Sequence, residues 1–180
     1  MSGTVELRHV DEEMLEGLLA VAVNDAAPDE VMPPVTGPPG WTTTRQDAFR
    51  AWHRARRPGL AGPLHECTFA ILADGKIVGS ARLACRDSQE VLETGMWLAR
   101  SARGRGIGTA ALDAILNEAA RADARFVVAE TTATNLAAIA ALRRNDARLT
   151  TDQHTGHVHA HLPLDQAQPP PPASPARAPQ

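Results

Sequence analysis

The chain has 180 residues and 43% hydrophobic content, enough for one domain with its own core and too little for two of comfortable size. A formal net charge of −3 and the absence of a long basic run argue against a nucleic-acid binder that works by general electrostatics. Cys67 and Cys85 sit in apolar runs without C-x-x-C or metal spacing, so both read as small buried hydrophobes and no metal site is expected. The N-terminus shows no charged and then apolar leader, and no apolar run approaches about 20 residues. The expectation is a cytoplasmic protein with no membrane partner.

Thr4 to Arg8 alternates Val5 and Leu7 with polar neighbours and predicts a first strand. Asp11 then caps a helix whose apolar face is Met14, Leu15, Leu18, Leu19 and Ala22. Asn24 to Trp41, with five prolines and two glycines, predicts a loop carrying Asp25, Asp29, Glu30 and Trp41. Thr44-Arg-Gln-Asp47 resembles a capping box opening a second helix to about Arg57. Its arginines Arg45, Arg50, Arg54, Arg56 and Arg57 read as a solvated face, since no aromatic residues alternate with them as a nucleic-acid surface would require. Strands at Cys67–Ala73 and Lys76–Ala84 are joined by Asp74-Gly75, a hairpin signal, and Gly79 marks a bulge or close approach.

A strand at Val91–Ala99 runs into Arg103-Gly-Arg-Gly-Ile-Gly108-Thr109 and then a helix from Ile107 to about Arg121. Glycines let backbone N–H groups approach a ligand, and a helix start adds unpaired donors and partial positive charge, which suits a diphosphate. No lysine precedes Thr109, so this is not a Walker loop, and Gly104-x-Gly106-x-Gly108 is out of register for a dinucleotide turn. A buried strand at Arg125–Thr131, a helix after Asn135, and strands near Ala147–Thr151 and His157–Leu162 complete an α/β domain over residues 1–164. The Pro- and Ala-rich run at 165–180 cannot build a core and is expected to be a disordered tail.

Arg103-x-x-Gly106-x-Gly108 after a strand resembles the coenzyme A pyrophosphate loop of the GNAT acetyltransferase superfamily. About 27 residues beyond the loop, Asn135 with Ala138 and a short helix resembles that superfamily's second coenzyme-binding segment. The resemblance covers roughly Val5 to Leu164. It implies a mixed central sheet of six to seven strands with about four flanking helices, and acetyl-CoA as co-substrate. It also implies coenzyme contacts from Trp97, Leu98, Arg103, Gly104, Arg105, Gly106, Ile107, Gly108, Thr109 and Asn135, with Trp97 and Leu98 supplying backbone N–H to the thioester carbonyl at a strand bulge. It places the Asp29, Glu30 and Trp41 loop over the acceptor, and it admits a homodimer.

Acetyl transfer to an amine needs a proton acceptor, because an amine pKa of about 10 leaves it charged at neutral pH. Glu93 shares a strand face with Trp97, and Glu130 ends the next strand where protein N-terminal acetyltransferases of the superfamily carry a glutamate. Both are candidates. The family's tyrosine acid would fall at Leu142, and the chain contains no tyrosine, so water or another group must protonate a thiolate of pKa about 8.5. The family's Gly-Phe is Asp146-Ala147 here. His157, His159 and His161 share one face, as a half-exposed strand would show without any metal. The expected activity is N-acetylation of a small-molecule or peptide amine. The acidic loop favours a cationic acceptor such as the 6′-amino group of an aminoglycoside, hence antibiotic resistance. A protein N-terminal acetyltransferase and a non-catalytic acyl-CoA-binding module are the alternatives.

Overall fold

The computed structural model describes residues 4–86, 88 and 90–164, so the expected tail at 165–180 lies outside the described residues. Seven strands form one sheet: β1 (Val5–His9), β2 (Glu66–Ala73), β3 (Lys76–Cys85), β4 (Val91–Leu98), β5 (Phe126–Thr132), β6 (Arg148–Thr151) and β7 (His157–Pro163). Their order is β1-β2-β3-β4-β5-β7-β6. Every neighbouring pair is antiparallel except β4 and β5, which run parallel. That parallel pair needs a crossover, and the helix α4 (Ile107–Arg121) supplies it. The other helices are α1 (Glu12–Asp25), α2 (Pro28–Val31), α3 (Thr43–Ala55) and α5 (Leu136–Arg144). This is the mixed α/β architecture that the alternation of patterns predicts. Among the described residues no helix is long and apolar enough to cross a membrane.

Two apolar clusters lie on opposite faces of the sheet. On one, Ile107, Ala111, Leu112, Ile115 and Ala119 of α4 bury against Phe69, Ile71, Leu83, Leu92 and Val127. On the other, Leu15, Leu18, Leu19 and Ala22 of α1, with Val31 and Phe49, bury against Ala70 and Leu72. Successive residues of β2 thus serve different layers, Phe69 and Ile71 one and Ala70 and Leu72 the other, as the two-residue period dictates. Cys67 is buried, and burial pushes its thiol up to about 11, so it is a small core side chain and no nucleophile.

Local chemistry accounts for most boundaries. Asp11 Oδ1 accepts from Met14 N at 2.8 Å and starts α1. Asp74 and Gly75 both take positive φ (50° and 73°), the two-residue hairpin turn their order predicts. Asp146 takes φ 59°, so an aspartate holds the left-handed turn after α5 where a glycine is more usual. Three expectations need correction. The stretch Asn24–Trp41 is not all loop, since Pro28 at the first helical position starts the short helix α2. The second long helix begins earlier than Thr44, because Thr42 Oγ1 accepts from Arg45 N at 3.3 Å. The arginines of α3 are not a solvated face either.

Those arginines are fastenings. Arg45 is buried and donates to the carbonyls of Pro38, Gly40 (2.8 Å) and Val35 (3.0 Å), which gives the proline-rich connection a fixed path over α3. Arg50 grips Glu16 through Nε at 2.7 Å and Nη2 at 2.9 Å. Arg54 and Arg57 share Glu12, whose carboxyl they hold down at about 2. These paired charges close the seam between α1 and α3.

His53 of α3 is fully buried, with Nδ1 3.0 Å from Thr68 Oγ1 and Nε2 without a partner. Burial, with Arg56 and Arg57 nearby, lowers its pKa to about 3. A lowered histidine pKa means that between about 3 and 6.5 the unfolded chain binds a proton the folded chain refuses. Stability contributed by neutral His53 is therefore complete above about pH 6.5 and is lost as pH falls, by at most about 1.4 kcal/mol per pH unit. Urea unfolding from pH 4 to 8 should show this slope in the wild type and a flatter one in His53→Gln; parallel slopes would refute the assignment.

Candidate active site

The site is built where two parallel strands part. β4 and β5 pair only from Val91–Phe126 to Thr94–Ala129, after which they diverge. On its other side β4 stays paired with β3 without a break from Cys85–Leu92 to Gly79–Leu98. Ala99 N donates to Val78 O at 2.9 Å, and ladder bonds alternate in antiparallel pairs. Trp97 therefore spends its own N–H and C=O on Ser80 of β3. Met96 and Leu98 turn theirs toward the gap, where no strand stands beside them.

Two local features hold β4 there. Gly79 packs against β4 so closely that an added Cβ would lie 2.1 Å from Trp97 O and 3.0 Å from Leu98 Cα. The one register shift nearby falls between Ile71 and Leu72, opposite Gly79 and Ile77, so the bulge lies in β3. The expected bulge on β4 at Trp97 and Leu98 is thus corrected, and the free donors are those of Met96 and Leu98. Trp97 contributes a wall: its side chain packs against the α1–α3 cluster.

Beyond β4, a single 3-10 turn (Arg100–Ala102) leads into the glycine loop. Gly104 and Gly106 have φ of 74° and 78°, values that glycine alone takes without strain, and Gly106 is the residue from which α4 starts. The first N–H groups of α4, at Ile107, Gly108 and Thr109, have no intrahelical acceptor. Ile107 itself is core, so only its backbone faces a ligand. Arg105 is exposed, whereas Arg103 donates from Nε to Leu98 O at 3.0 Å and from Nη2 to Glu30 at 3.3 Å. Asn135 caps α5 by accepting from Ala138 N at 3.1 Å. Asn145 ties the end of α5 to the start of α4, donating to Thr109 O at 3.3 Å.

Between these walls runs a cleft of about 560 Å³, lined by Met96, Leu98, Gly104, Gly106, Thr109 and Asn135 with alanines of α5. Its composition fits a long ligand: diphosphate donors at the α4 end, an apolar Ala137–Ala141 flank, and unpaired strand N–H groups at the inner end.

Of the two candidate glutamates only one reaches this cleft. Glu130 lines it, at the point where β5 leaves β4, and its Oε1 lies 3.1 Å from His159 Nδ1 on β7. Glu93 does not: one oxygen takes Arg82 Nη2 at 2.5 Å and the other takes Arg86. It belongs to a charged row Arg56–Glu66–Arg82–Glu93–Arg86 across the sheet, with Arg56 to Glu66 at 2.5 Å and Arg82 to Glu66 at 3.1 Å.

The expected acceptor residues fare unevenly. Trp41 is anchored away from the cleft, its Nε1 donating to Ala26 O at 2.9 Å and its ring set edge-on to Phe49. Asp29 is exposed and lines no cavity. Glu30 lines the cleft but is already engaged, by Ala27 N at 2.7 Å, Arg100 at 2.8 Å and Arg103. The Ala27 N–H first, and Arg103 next, hold its carboxyl below the usual range. Asp25 likewise accepts from Ser101 N and Oγ, which lower its pKa. The acids of this segment thus latch it to the glycine loop.

A second pocket of about 160 Å³ lies on the other side of β4, lined by Glu30, Trp52, Arg82, Gly95, Met96 and Trp97 among others. Trp52 and Arg82 carry no sequence signal of a site, because one reads as the apolar side of a helix and the other as an ordinary strand charge. Their meeting depends on the α3–β3 packing.

The profile of the acetyltransferase (GNAT) family matches residues 26–146, more than half of the chain. Among solved structures, the ribosomal L7/L12 alpha-N-protein acetyltransferase RimL in complex with coenzyme A is similar at 22% identity and a TM-score of 0.69, over 92% of this chain and 97% of that one. The N-acetyltransferase from Staphylococcus aureus Mu50 is 22% identical (TM-score 0.66, 89% and 99% covered). The protein yncA from Salmonella typhimurium, with its cofactor acetyl-CoA, is 19% identical (TM-score 0.66, 94% and 99% covered). A sequence search of curated proteins gives no significant match.

The close approach at Gly79 sets a test. Gly79→Ala drives a methyl into the backbone of Trp97 and Leu98, which cannot rotate away, and should cost about 1–3 kcal/mol in urea unfolding while weakening coenzyme A binding measured by calorimetry. Unchanged stability and affinity would mean that β4 is not fixed by this contact.

Proposed function

The chain belongs to the GNAT acetyltransferase family, and we propose that it moves the acetyl group of acetyl-CoA to a primary amine that arrives from the α2–α3 side of β4. The supporting observation is that Glu30, Gly95, Met96 and Trp97 line both the long cleft and the second pocket. A donor and an acceptor lying in these two spaces meet at the gap beside β4.

Acetyl-CoA supplies an activated thioester carbonyl. The N–H groups at the start of α4 and the turns at Gly104 and Gly106 hold its diphosphate. The N–H groups of Met96 and Leu98 face the carbonyl oxygen and stabilise the charge that develops there. Glu130 takes a proton from the incoming ammonium, directly or through water, so that a neutral amine attacks. Transfer forms the C–N bond and breaks the C–S bond, and one proton passes from nitrogen to sulfur overall. With no tyrosine in the chain, water serves as the proton source for a thiolate whose pKa of about 8.5 makes it a fair leaving group. His159, with Nδ1 3.1 Å from Glu130 Oε1, is the neighbour that pairs with that carboxylate when its ring is protonated.

An aminoglycoside acceptor drew its support from free acids at the mouth, and Asp25 and Glu30 are committed to Ser101, Arg100 and Arg103 instead. A peptide or small amine without extra positive charge is the reading the site favours. A non-catalytic acyl-CoA binder would have no use for a carboxylate at the gap.

Glu130→Gln should lower kcat by about 10² to 10⁴, read as thiol release from acetyl-CoA, with the calorimetric Kd for coenzyme A unchanged. Glu93→Gln should chiefly lower the unfolding midpoint, since it weakens the shared partner of Arg82 and Arg86. The reverse outcome, a stable Glu93→Gln enzyme without turnover beside an active Glu130→Gln, would transfer the role of base to Glu93.

A further inference from the structure

The second pocket carries a charge pattern opposite to the one a cationic acceptor needs. Arg82 stands directly across from Gly95 in the β3–β4 register and lines this pocket. Glu66 and Glu93 each take one N–H from it, at 3.1 and 2.5 Å, which leaves three of its five donors for a ligand. Its side chain keeps 26% exposure and borders the pocket. The row Arg56–Glu66–Arg82–Glu93–Arg86 holds three guanidinium groups against two carboxylates. Glu30, on the opposite wall, is spoken for by Arg100 and Arg103.

Gly95 gives Arg82 a line of approach to the gap. An added Cβ there would meet nothing within 4 Å, and its backbone is outside the left-handed region. Neither packing nor backbone conformation demands a glycine; its effect is to leave the floor between Arg82 and the gap bare. The flanking residues on the same face, Glu93 and Trp97, both carry large side chains. The indoles of Trp52 and Trp97 border the remaining space, and Trp52 is held by Arg56 with Cζ 3.9 Å over its ring.

We propose that Arg82 anchors a carboxylate of the acceptor, so that the substrate is a small amino carboxylate. Its amine lies in the gap beside Met96 and Glu130, its carboxylate crosses bare Gly95 to Arg82, and its side chain rests against Trp52 and Trp97. β4 stands between the gap and β3, so the backbone of Arg82 is more than one strand spacing of about 5 Å from the gap, a separation that the long arginine side chain and the amino carboxylate bridge together. The volume of about 160 Å³ suits a compact molecule better than a trisaccharide. This inference rests on the proposed acetyl transfer.

The test uses the full-length protein with acetyl-CoA, and thiol release is followed across matched probes: free amino acids, their primary amides, spermidine and kanamycin. The expected result is a kcat/KM for at least one aromatic or aliphatic amino acid about 100-fold or more above its amide, since the amide lacks the charge that pairs with a guanidinium. Arg82→Gln should collapse that ratio to within about threefold. Gly95→Val leaves the charged row intact and keeps strand propensity, so it covers the case in which Arg82→Gln does not fold. It should raise the amino-acid KM at least about tenfold through obstruction of the path. Equal turnover of acid and amide by the wild type, turnover confined to kanamycin or spermidine, or an unchanged KM in Gly95→Val overturns the carboxylate anchor while leaving acetyl transfer standing. Silence on every probe overturns the anchor, and silence on peptides with free N-termini as well overturns acetyl transfer itself.

Discussion

The divergence of β4 from β5 is the constraint on which the rest of this structure depends. Strand edges inside a sheet are costly, because each unpaired N–H and C=O gives up a hydrogen bond worth about 0.5–1.5 kcal/mol net. Here the edge of β4 beyond Thr94 is held open by what lies behind it: an unbroken ladder to β3, the Gly79 contact, and Leu98 O capped by Arg103. The open donors of Met96 and Leu98 are thereby available to a ligand, and the same divergence joins the long cleft to the pocket on the far side. A protein that closed this gap would be more stable and would have no site.

How far this was legible in the sequence differs from layer to layer. Patterns governed by local chemistry read directly: the Asp74-Gly75 turn, the Asp11 cap, the glycine loop into α4, and the burial of every third or fourth residue of α4. Glu130 was also legible, as a carboxylate ending an apolar strand. What did not read was pairing across long separations. Glu93 has the same credentials as Glu130 in one dimension, an acid in a strand beside the loop. It is distinguished only by Arg82 and Arg86, which the β3–β4 register brings to it. The acids of the α1–α2 connection look like a lure for cations and prove to be latches, because Ser101, Arg100 and Arg103 come back to them from about 70 residues away. Trp41 looks like a lid and is a core anchor for the same reason. Trp52 and Arg82, which border the second pocket, sit on different elements with no shared motif.

Charge in this protein is mostly used in pairs. The formal net charge of −3 conceals an α1–α3 seam fastened by Arg50, Arg54 and Arg57, a row of five alternating charges that runs from the end of α3 over β2, β3 and β4 to Arg86 just after β3, and the loop latches at Asp25 and Glu30. Exposed pairs of this kind add little stability singly, about 0–1 kcal/mol each. Their value is geometric: they set where α2 lies against the glycine loop and how Arg82 is presented. Arg45 shows the same logic at higher burial, with a guanidinium replacing the hydrogen bonds that a proline-rich segment cannot make for itself.

The single parallel pair in the sheet also divides the molecule. β1 to β4 form an antiparallel meander and β5, β7 and β6, in that order, a second antiparallel group, and four paired residue positions between β4 and β5, with α4 across the back, join the two. A ligand in the long cleft touches β4 on one side and β5 with α5 on the other, so it acts as a strut between two half-sheets that share little backbone of their own. Occupancy and cohesion are then one quantity seen from two sides: whatever fills the gap binds the folded chain alone, and adds its binding free energy to the force that keeps the halves together.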